Sequence, residues 1–361
     1  MTCPHCRASL LLKERRGNVC SRCGRPYALD PRTQGRGMHD TRILRIADKA
    51  TGGGRRQVTV TQLRYLARTA NRTWPATPRS GRPQWIGRTV AVVLVAGLVA
   101  LGFRLRDVPP AGLIWWAAAI VALLVYAVSK GEPRRPARSA GASVTPAQAT
   151  FRSMMSTRWT QVYGSLPPGI VDDEQHPGEA GGLDGGPSEE TVELLCPDRA
   201  VRVFLALNGF PRRLGLRLAA GLGDLSGTGP VVVLHDAGAR GLQLVEDARA
   251  VRPRRVVVDA GLPVCAVLGN RRAVTLHETL PVRMLENEPE WLRRTTRLAP
   301  REAAWLRQGW YSPVAAAPPA LVEAAVERAV RQAHDADPER REAAAVGFMS
   351  WPSESAAKDG D

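Results

Sequence analysis

Lysine is nearly missing from this chain: only Lys13, Lys49, Lys130 and Lys358 stand among its 50 basic residues, so its positive charge is almost entirely arginine. No GxxxxGK(S/T), GxSxG or HExxH motif occurs, nor a complete GxGxxG. That removes the usual sequence warrants for a P-loop NTPase, an α/β-hydrolase, a zincin or a dinucleotide-binding enzyme. Acidic residues are scarce in the first 138 residues, 6 against 25 Lys+Arg, whereas the remainder holds 28 against 25. The net charge of +16 therefore belongs to a basic front half joined to a near-neutral back half. No apolar run follows the N-terminus, so no secretory signal is expected and the cysteines should sit in reducing surroundings. At 361 residues with 44% hydrophobic and 23% charged side chains, the composition excludes wholesale disorder and predicts several folded units.

Four of the six cysteines lie in the first 23 residues, as Cys3-Pro4-His5-Cys6 and Cys20-Ser21-Arg22-Cys23-Gly24. Two residues between thiolates let each turn aim both sulfurs at one ion, and four thiolates close a tetrahedral site with no open position. Such a site is structural. Gly24 suits the turn after the second pair, where positive φ is needed. The alternative is a redox CxxC, for which the βαβ context is missing. His5 is expected to lie exposed inside its turn rather than on the metal, and the isolated Cys196 and Cys265 to pack as small apolar side chains. The spacing resembles a zinc ribbon, CPxC…CxxCG, over 1–30. With its arginine-rich, Ala/Gly/Pro-rich coding, the chain is similar to zinc-ribbon membrane proteins of actinobacterial type. The resemblance implies structural Zn²⁺ on Cys3, Cys6, Cys20 and Cys23.

Two apolar runs reach the length a membrane helix requires. The runs predict transmembrane helices over 85–105 and 110–129, with Trp85, Trp115, Trp116 and Tyr126 towards the ends where amphipathic rings prefer headgroups. No ionisable side chain lies inside either uncharged stretch, which argues against a transport path. Arg68, Arg72, Arg79, Arg82 and Arg88 precede the pair and Lys130, Arg134, Arg135 and Arg138 follow it, against Arg104 and Arg106 between them. This bias predicts a two-span protein of the cell membrane, integral in the lipid bilayer, with both termini cytoplasmic.

Residues 40–72 read as a basic amphipathic helical segment around Gly52-Gly53-Gly54. Thr59 and Gln62 are spaced as a capping box, and Arg64, Arg68 and Arg72 recur every four residues. That stripe suits anionic headgroups, nucleic-acid phosphates or plain solvation. Residues 130–190 read as flexible linkers with a short helix, and 346–361 as a disordered tail.

From Thr191 the pattern alternates strand and helix. Val192–Cys196, Val231–His235 and Arg255–Asp259 read as strands, with Val264–Leu268 and Ala273–His277 as further ones, before a helical end. The fold class expected is multidomain: a zinc ribbon, a transmembrane hairpin, and over 191–335 an α/β domain with an open, mostly parallel sheet and a helical extension. Ligands of such sheets bind beyond the strands' carboxyl ends, which selects Asp236, Gly238, Gly241 and Asp259 as candidate ligand-binding residues. Asp236-x-Gly-x-x-Gly resembles the DxDxxG turn of TOPRIM domains, more loosely a Rossmann turn, with Glu193 as the matching strand-one acid. Gly238 stands where the second acid belongs, which would cost a Mg²⁺ site one ligand. The reading is a non-enzymatic binding, scaffolding or regulatory protein with a protein partner. No catalytic residue or small-molecule substrate is identified and nucleic acid is not favoured. Its alternative is a degenerate TOPRIM- or Rossmann-like enzyme using Mg²⁺ on nucleic acid or a nucleotide.

Overall fold

The computed structural model describes residues 1–34, 37–71, 144–176, 191–280 and 298–336. The chain divides into two units, Met1–Arg72 with Ser143–Asp361, and Thr73–Ala142; every described residue belongs to the first.

After the cysteine segment comes helix α1 (Asp40–Thr51), opened by His39, whose side chain accepts from the Arg42 N–H, and closed by Gly52 at φ 64°. Strand β1 (Val58–Thr59) leads into α2 (Val60–Ala67). The Thr59/Gln62 capping box forms there, with Thr59 Oγ1 accepting from the Gln62 N–H at 3.2 Å and Gln62 Oε1 from the Thr59 N–H at 3.1 Å. Strands β2 (Ala70–Asn71) and β3 (Val144–Thr145) pair antiparallel. Helix α3 (Gln148–Ser153) continues through a π-helical turn, Met154–Trp159, into α4 (Thr160–Tyr163), and β4 (Ile170–Val171) pairs with β1.

The α/β layers follow. Strand β5 (Val192–Leu195) leads to α5 (Arg199–Leu207), α6 (Phe210–Leu214) and β6 (Leu216–Ala219). Then come β7 (Val231–Val233), α7 (Ala239–Val251), β8 (Val257–Asp259) and α8 (Val264–Gly269). Strand β9 (Leu276–His277), α9 (Pro300–Arg307), β10 (Trp310–Tyr311) and α10 (Pro319–Ala336) complete the described chain. The main sheet runs β6-β5-β7-β8, all parallel. Strand order therefore reverses beside β5, and the crevice between β5 and β7 is the topological switch point.

Side chains alternate across this sheet with the strand period of two. Leu195, Val231 and Val233 face α7 and pack with Val245 and Ala248. On the other face Val192, Leu194 and Val232 join Val322 and Val326 of α10. Ile43 of α1, Leu63 of α2, and Phe151, Met155 and Trp159 of the 148–163 helix belong to that same buried cluster. The segments 40–67 and 144–171 thus contribute to the core that carries the sheet.

The membrane reading is corrected. No described helix is long and apolar enough to cross a membrane, and the runs at 85–105 and 110–129 lie outside the described residues, as does the 346–361 tail. Helix α10 spans 18 residues, but Glu323, Glu327, Arg328, Arg331 and Asp335 interrupt it, and its apolar stripe is spent on the sheet. The fold class supported is a cysteine ribbon with a parallel-sheet α/β region; the transmembrane hairpin, the bilayer partnership and the two-span cell-membrane location with cytoplasmic termini are not. A second difference is Val264–Leu268, expected as a strand and found as helix α8 behind Pro263. An apolar run this short carries no period that separates the two.

Candidate functional site

The paired cysteines come together. The sulfurs of Cys3, Cys6, Cys20 and Cys23 all lie within 4.8 Å of one another, with Cys3–Cys23 at 3.9 Å and Cys6–Cys20 at 3.8 Å. Four sulfurs at about 2.3 Å from a tetrahedral ion stand about 3.8 Å apart, so the donor set fits a metal ion as it stands. Each knuckle is tied by its own backbone, Arg7 N–H donating to Cys3 O at 3.1 Å and Gly24 N–H to Cys20 O at 2.9 Å. The two turns are equivalent, yet one ends in Gly24 at φ 68° and the other in Arg7 at φ 60°. An L side chain in that left-handed region costs about 1–2 kcal/mol. Arg7→Gly should therefore stabilise the ribbon by about 1 kcal/mol, read as a higher midpoint in metal-dependent unfolding. His5 is turned off the sulfurs, with Nε2 2.8 Å from Pro26 O.

The ribbon is clamped to the body by one buried carboxylate. Asp40, at the start of α1 and 1% exposed, accepts from the Ala28 and Leu29 N–H groups at 2.7 Å each and from the Tyr163 hydroxyl. Burial raises its pKa, and these three donors only partly offset that.

A second constellation occupies the switch point. A cavity of about 370 Å³ opens between the segments following β5 and β7, and Asp198, Asp236, Gly238, Arg240, Glu278 and Tyr311 are among its lining residues. Asp198 caps α5 by accepting from the Val201 N–H at 3.1 Å, and burial raises its pKa. Asp236 accepts from the Val314 N–H at 2.8 Å, and among the described residues it belongs to no ion pair. Burial pushes its pKa up to about 6, the Val314 hydrogen bond opposing the rise and the charge of Asp198 adding to it. Arg240 is committed to Glu278 at 2.6 Å. Asp198, Asp236 and Glu278 thus line the crevice with Arg240, which already has a partner, and with His235, which faces Asp259.

The candidate residues divide between lining this cavity and building it. Asp236 and Gly238 line it, as does Gly241. The glycines are there for packing: a Cβ on Gly238 would lie 2.7 Å from Tyr311 Cβ, and one on Gly241 2.3 Å from both Asp236 O and the His235 ring. Asp259 turns to His235, whose Nε2 stands 3.0 Å from Asp259 Oδ1 while Nδ1 donates to Asp236 O at 2.7 Å. Burial works to raise the Asp259 pKa, but the His235 hydrogen bond and charge outweigh it and hold the carboxyl below its usual range.

Glu193 sits at the other end of the sheet, in register with Val231 at the start of β7 and bound to Arg217 and Arg255. Asp236 lies five residues further along, roughly 16 Å at about 3.3 Å per residue. The pairing of acids implied by the TOPRIM resemblance is not brought together. Among the described residues the four cysteines form the one cluster of three or more metal-ligating side chains close enough to share an ion. Two arginines of the Arg64, Arg68 and Arg72 stripe are spent as well: Arg64, 7% exposed, donates to Pro146 O at 2.9 Å and Val144 O at 3.2 Å, and Arg68 to Tyr65 O at 2.6 Å, while Arg72 lies outside the described residues.

Sequence reasoning missed Arg240, Glu278, Tyr311 and Val314 as neighbours of Asp236. Arg240 is in the first turn of α7; the other three arrive through short pairings, β10 lying antiparallel to β9 and an isolated bridge joining Ala237 to Ser312. No motif marks either. No protein-family model matches the chain, and no curated protein or solved structure is significantly similar to it.

Proposed function

We propose that the chain is a non-enzymatic binding protein in which Zn²⁺ on the four cysteines is structural and the β5/β7 crevice receives a cationic group of its ligand. One observation carries this reading: Asp236 is a half-buried carboxylate lining a cavity, and among the described residues no arginine or lysine pairs with it, in a chain with 50 basic residues to choose from. A partly desolvated carboxylate without a paired counter-charge costs stability, and such a cost persists where a ligand supplies the missing charge. The net negative lining favours an ammonium or guanidinium over a phosphate. The enzyme reading with Mg²⁺ and nucleic acid has less support, since among the described residues the crevice acids form no cluster of three close enough to share an ion, and Gly238 stands where the second acid of the turn belongs. The four-thiolate donor set selects zinc over harder divalent ions.

The test is a thermal-shift series on the full chain with arginine amide, putrescine, nucleotides with Mg²⁺ and short duplex DNA, for wild type and Asp236→Asn. The amine or guanidinium should raise the wild-type melting point and leave the variant unmoved, with the rise growing from pH 5 to 7.5 as Asp236 ionises near 6. Without ligand the sign is opposite. A folded-state pKa raised from 3.8 to about 6 means the native state is favoured below pH 3.8 and loses that advantage as pH rises to 6. Asp236→Asn should then melt a few degrees above wild type at pH 7.5 and level with it near pH 4. Stabilisation by nucleotide with Mg²⁺ or by DNA, lost in the variant, would favour the enzyme; no response to any probe would leave Asp236 a structural residue.

A further inference from the structure

The ribbon carries an apolar surface that the described fold does not cover. Leu10 turns inward, 2% exposed, and packs on Cys3 and Cys20; the next two residues, Leu11 and Leu12, are 62% and 54% exposed. Their loop is held in shape. Leu10 N–H donates to Met1 O at 2.7 Å, Leu11 N–H to Glu14 Oε2 at 2.8 Å, and 3-10 turns cover Leu12–Glu14 and Arg16–Asn18. Arg15 at its centre is fixed by Asp30 at 3.2 Å, and the Tyr27 hydroxyl donates to Arg15 O at 3.2 Å. Two exposed leucines on a loop pinned from both sides are a presented surface rather than a collapsed one.

The charge around them has one sign. Leu11 and Leu12 form a groove of about 450 Å³ with Lys13, Arg16 and Arg32. None of these three bases is in an ion pair within the described fold. The nearest acid in sequence, Glu14, is occupied by its own loop's backbone, and Asp30 by Arg15.

We infer that this loop is a docking surface for a short acidic peptide segment of a protein partner, one that places apolar side chains on Leu11 and Leu12 and carboxylates on Lys13, Arg16 and Arg32. A leucine pair between bases matches a chain that alternates apolar and acidic side chains. A nucleic-acid backbone would use the bases and leave the leucines in water. The site is separate from the switch-point crevice and does not depend on what that crevice binds. It does depend on the metal, because the loop joins the two cysteine pairs and its inner residue Leu10 packs on Cys3 and Cys20.

The test is selection of a random displayed-peptide library on the full metal-loaded chain, followed by titration of the enriched peptides against variants. The expected result is enrichment of peptides combining acidic with large apolar residues. Their affinity should fall at least about tenfold in Leu11→Ser/Leu12→Ser and again in Lys13→Glu/Arg16→Glu, and weaken with added salt. Both variants replace exposed side chains, and unchanged metal content and melting point confirm that the ribbon remains folded. Enrichment of peptides without acidic residues, binding that survives both variants, or no enrichment would overturn the proposal. So would a DNA or RNA oligonucleotide, or a second copy of the chain, that occupies the loop and loses affinity in the leucine variant.

Discussion

Cys20→Ser in the full chain should abolish binding of one metal equivalent and unfold residues 1–26 while leaving the body intact. The reason is the size of the ribbon's interior. Its buried cluster is Cys3, Leu10 and Cys20, with only Ala8 and Cys23 packed against it. A core this small cannot offset the conformational entropy of its own backbone. The metal must supply the difference, and structural zinc in comparable peptides contributes about 10–16 kcal/mol at neutral pH. The C-terminal end of the ribbon segment has a separate anchor, since Tyr27, Ala28 and Leu29 are buried and the last two donate to Asp40. Amide hydrogen exchange reads both parts at once. Gly24 and Cys20 amides, which donate inside the second knuckle, should lose protection in the variant or under chelation. Ala28 and Leu29 amides should keep it. Metal analysis of the wild type finding no bound ion, or a protected Gly24 amide in the variant, would refute the metal-dependent ribbon.

The ribbon was legible because its information is local. Two CxxC pairs state the chemistry and the turn geometry within a few residues, and the sulfurs meet at the spacing a tetrahedral ion sets. Strand ends were legible for a similar reason: apolar runs stop at His235-Asp236 and at Asp259, which puts acids beyond the carboxyl edge of the sheet. What surrounds Asp236 was not legible. Glu278, Tyr311 and Val314 are 42 to 78 residues away in sequence and arrive through pairings of two residues, too short to leave a period. The glycine turn shows how one spacing serves two purposes. Asp236-x-Gly-x-x-Gly fits a phosphate approach and fits close packing equally well, and only the fold shows that His235 and Tyr311 pack where Cβ atoms on Gly241 and Gly238 would stand. The α2 arginines make the same point for charge. Their four-residue repeat cannot distinguish a solvated stripe from guanidiniums folded back on carbonyl groups, which is where Arg64 and Arg68 lie.

Glu193→Gln should be the most damaging single change in the α/β layers, by about 3–5 kcal/mol, because it removes the anion from a buried charge cluster and leaves the cations behind. Glu193 is 1% exposed and ties four segments at the amino edge of the sheet. Its register partner on β6, Arg217, binds it, Arg255 ahead of β8 reaches it at 2.6 Å, and Ser226 and Gly227 donate their N–H groups at 3.1 and 3.2 Å. Burial works to raise the Glu193 pKa, but Arg217, Arg255 and the two backbone donors outweigh it and hold the carboxyl below its usual value. That direction fixes the pH dependence. A carboxyl with a depressed folded-state pKa contributes stability above the ordinary value of 4.5 and loses it as pH falls through the folded-state value. The gap between wild type and Glu193→Gln in urea unfolding should be full at pH 7 and narrow steadily below pH 4.5. Arg255, with a side chain 6% exposed, would be left buried without its anion, so Glu193→Leu with Arg255→Leu should recover much of the loss by removing both charges together. A loss under about 1 kcal/mol, a gap independent of pH, or a double variant no better than Glu193→Gln would each show that the cluster does not hold this edge of the sheet together.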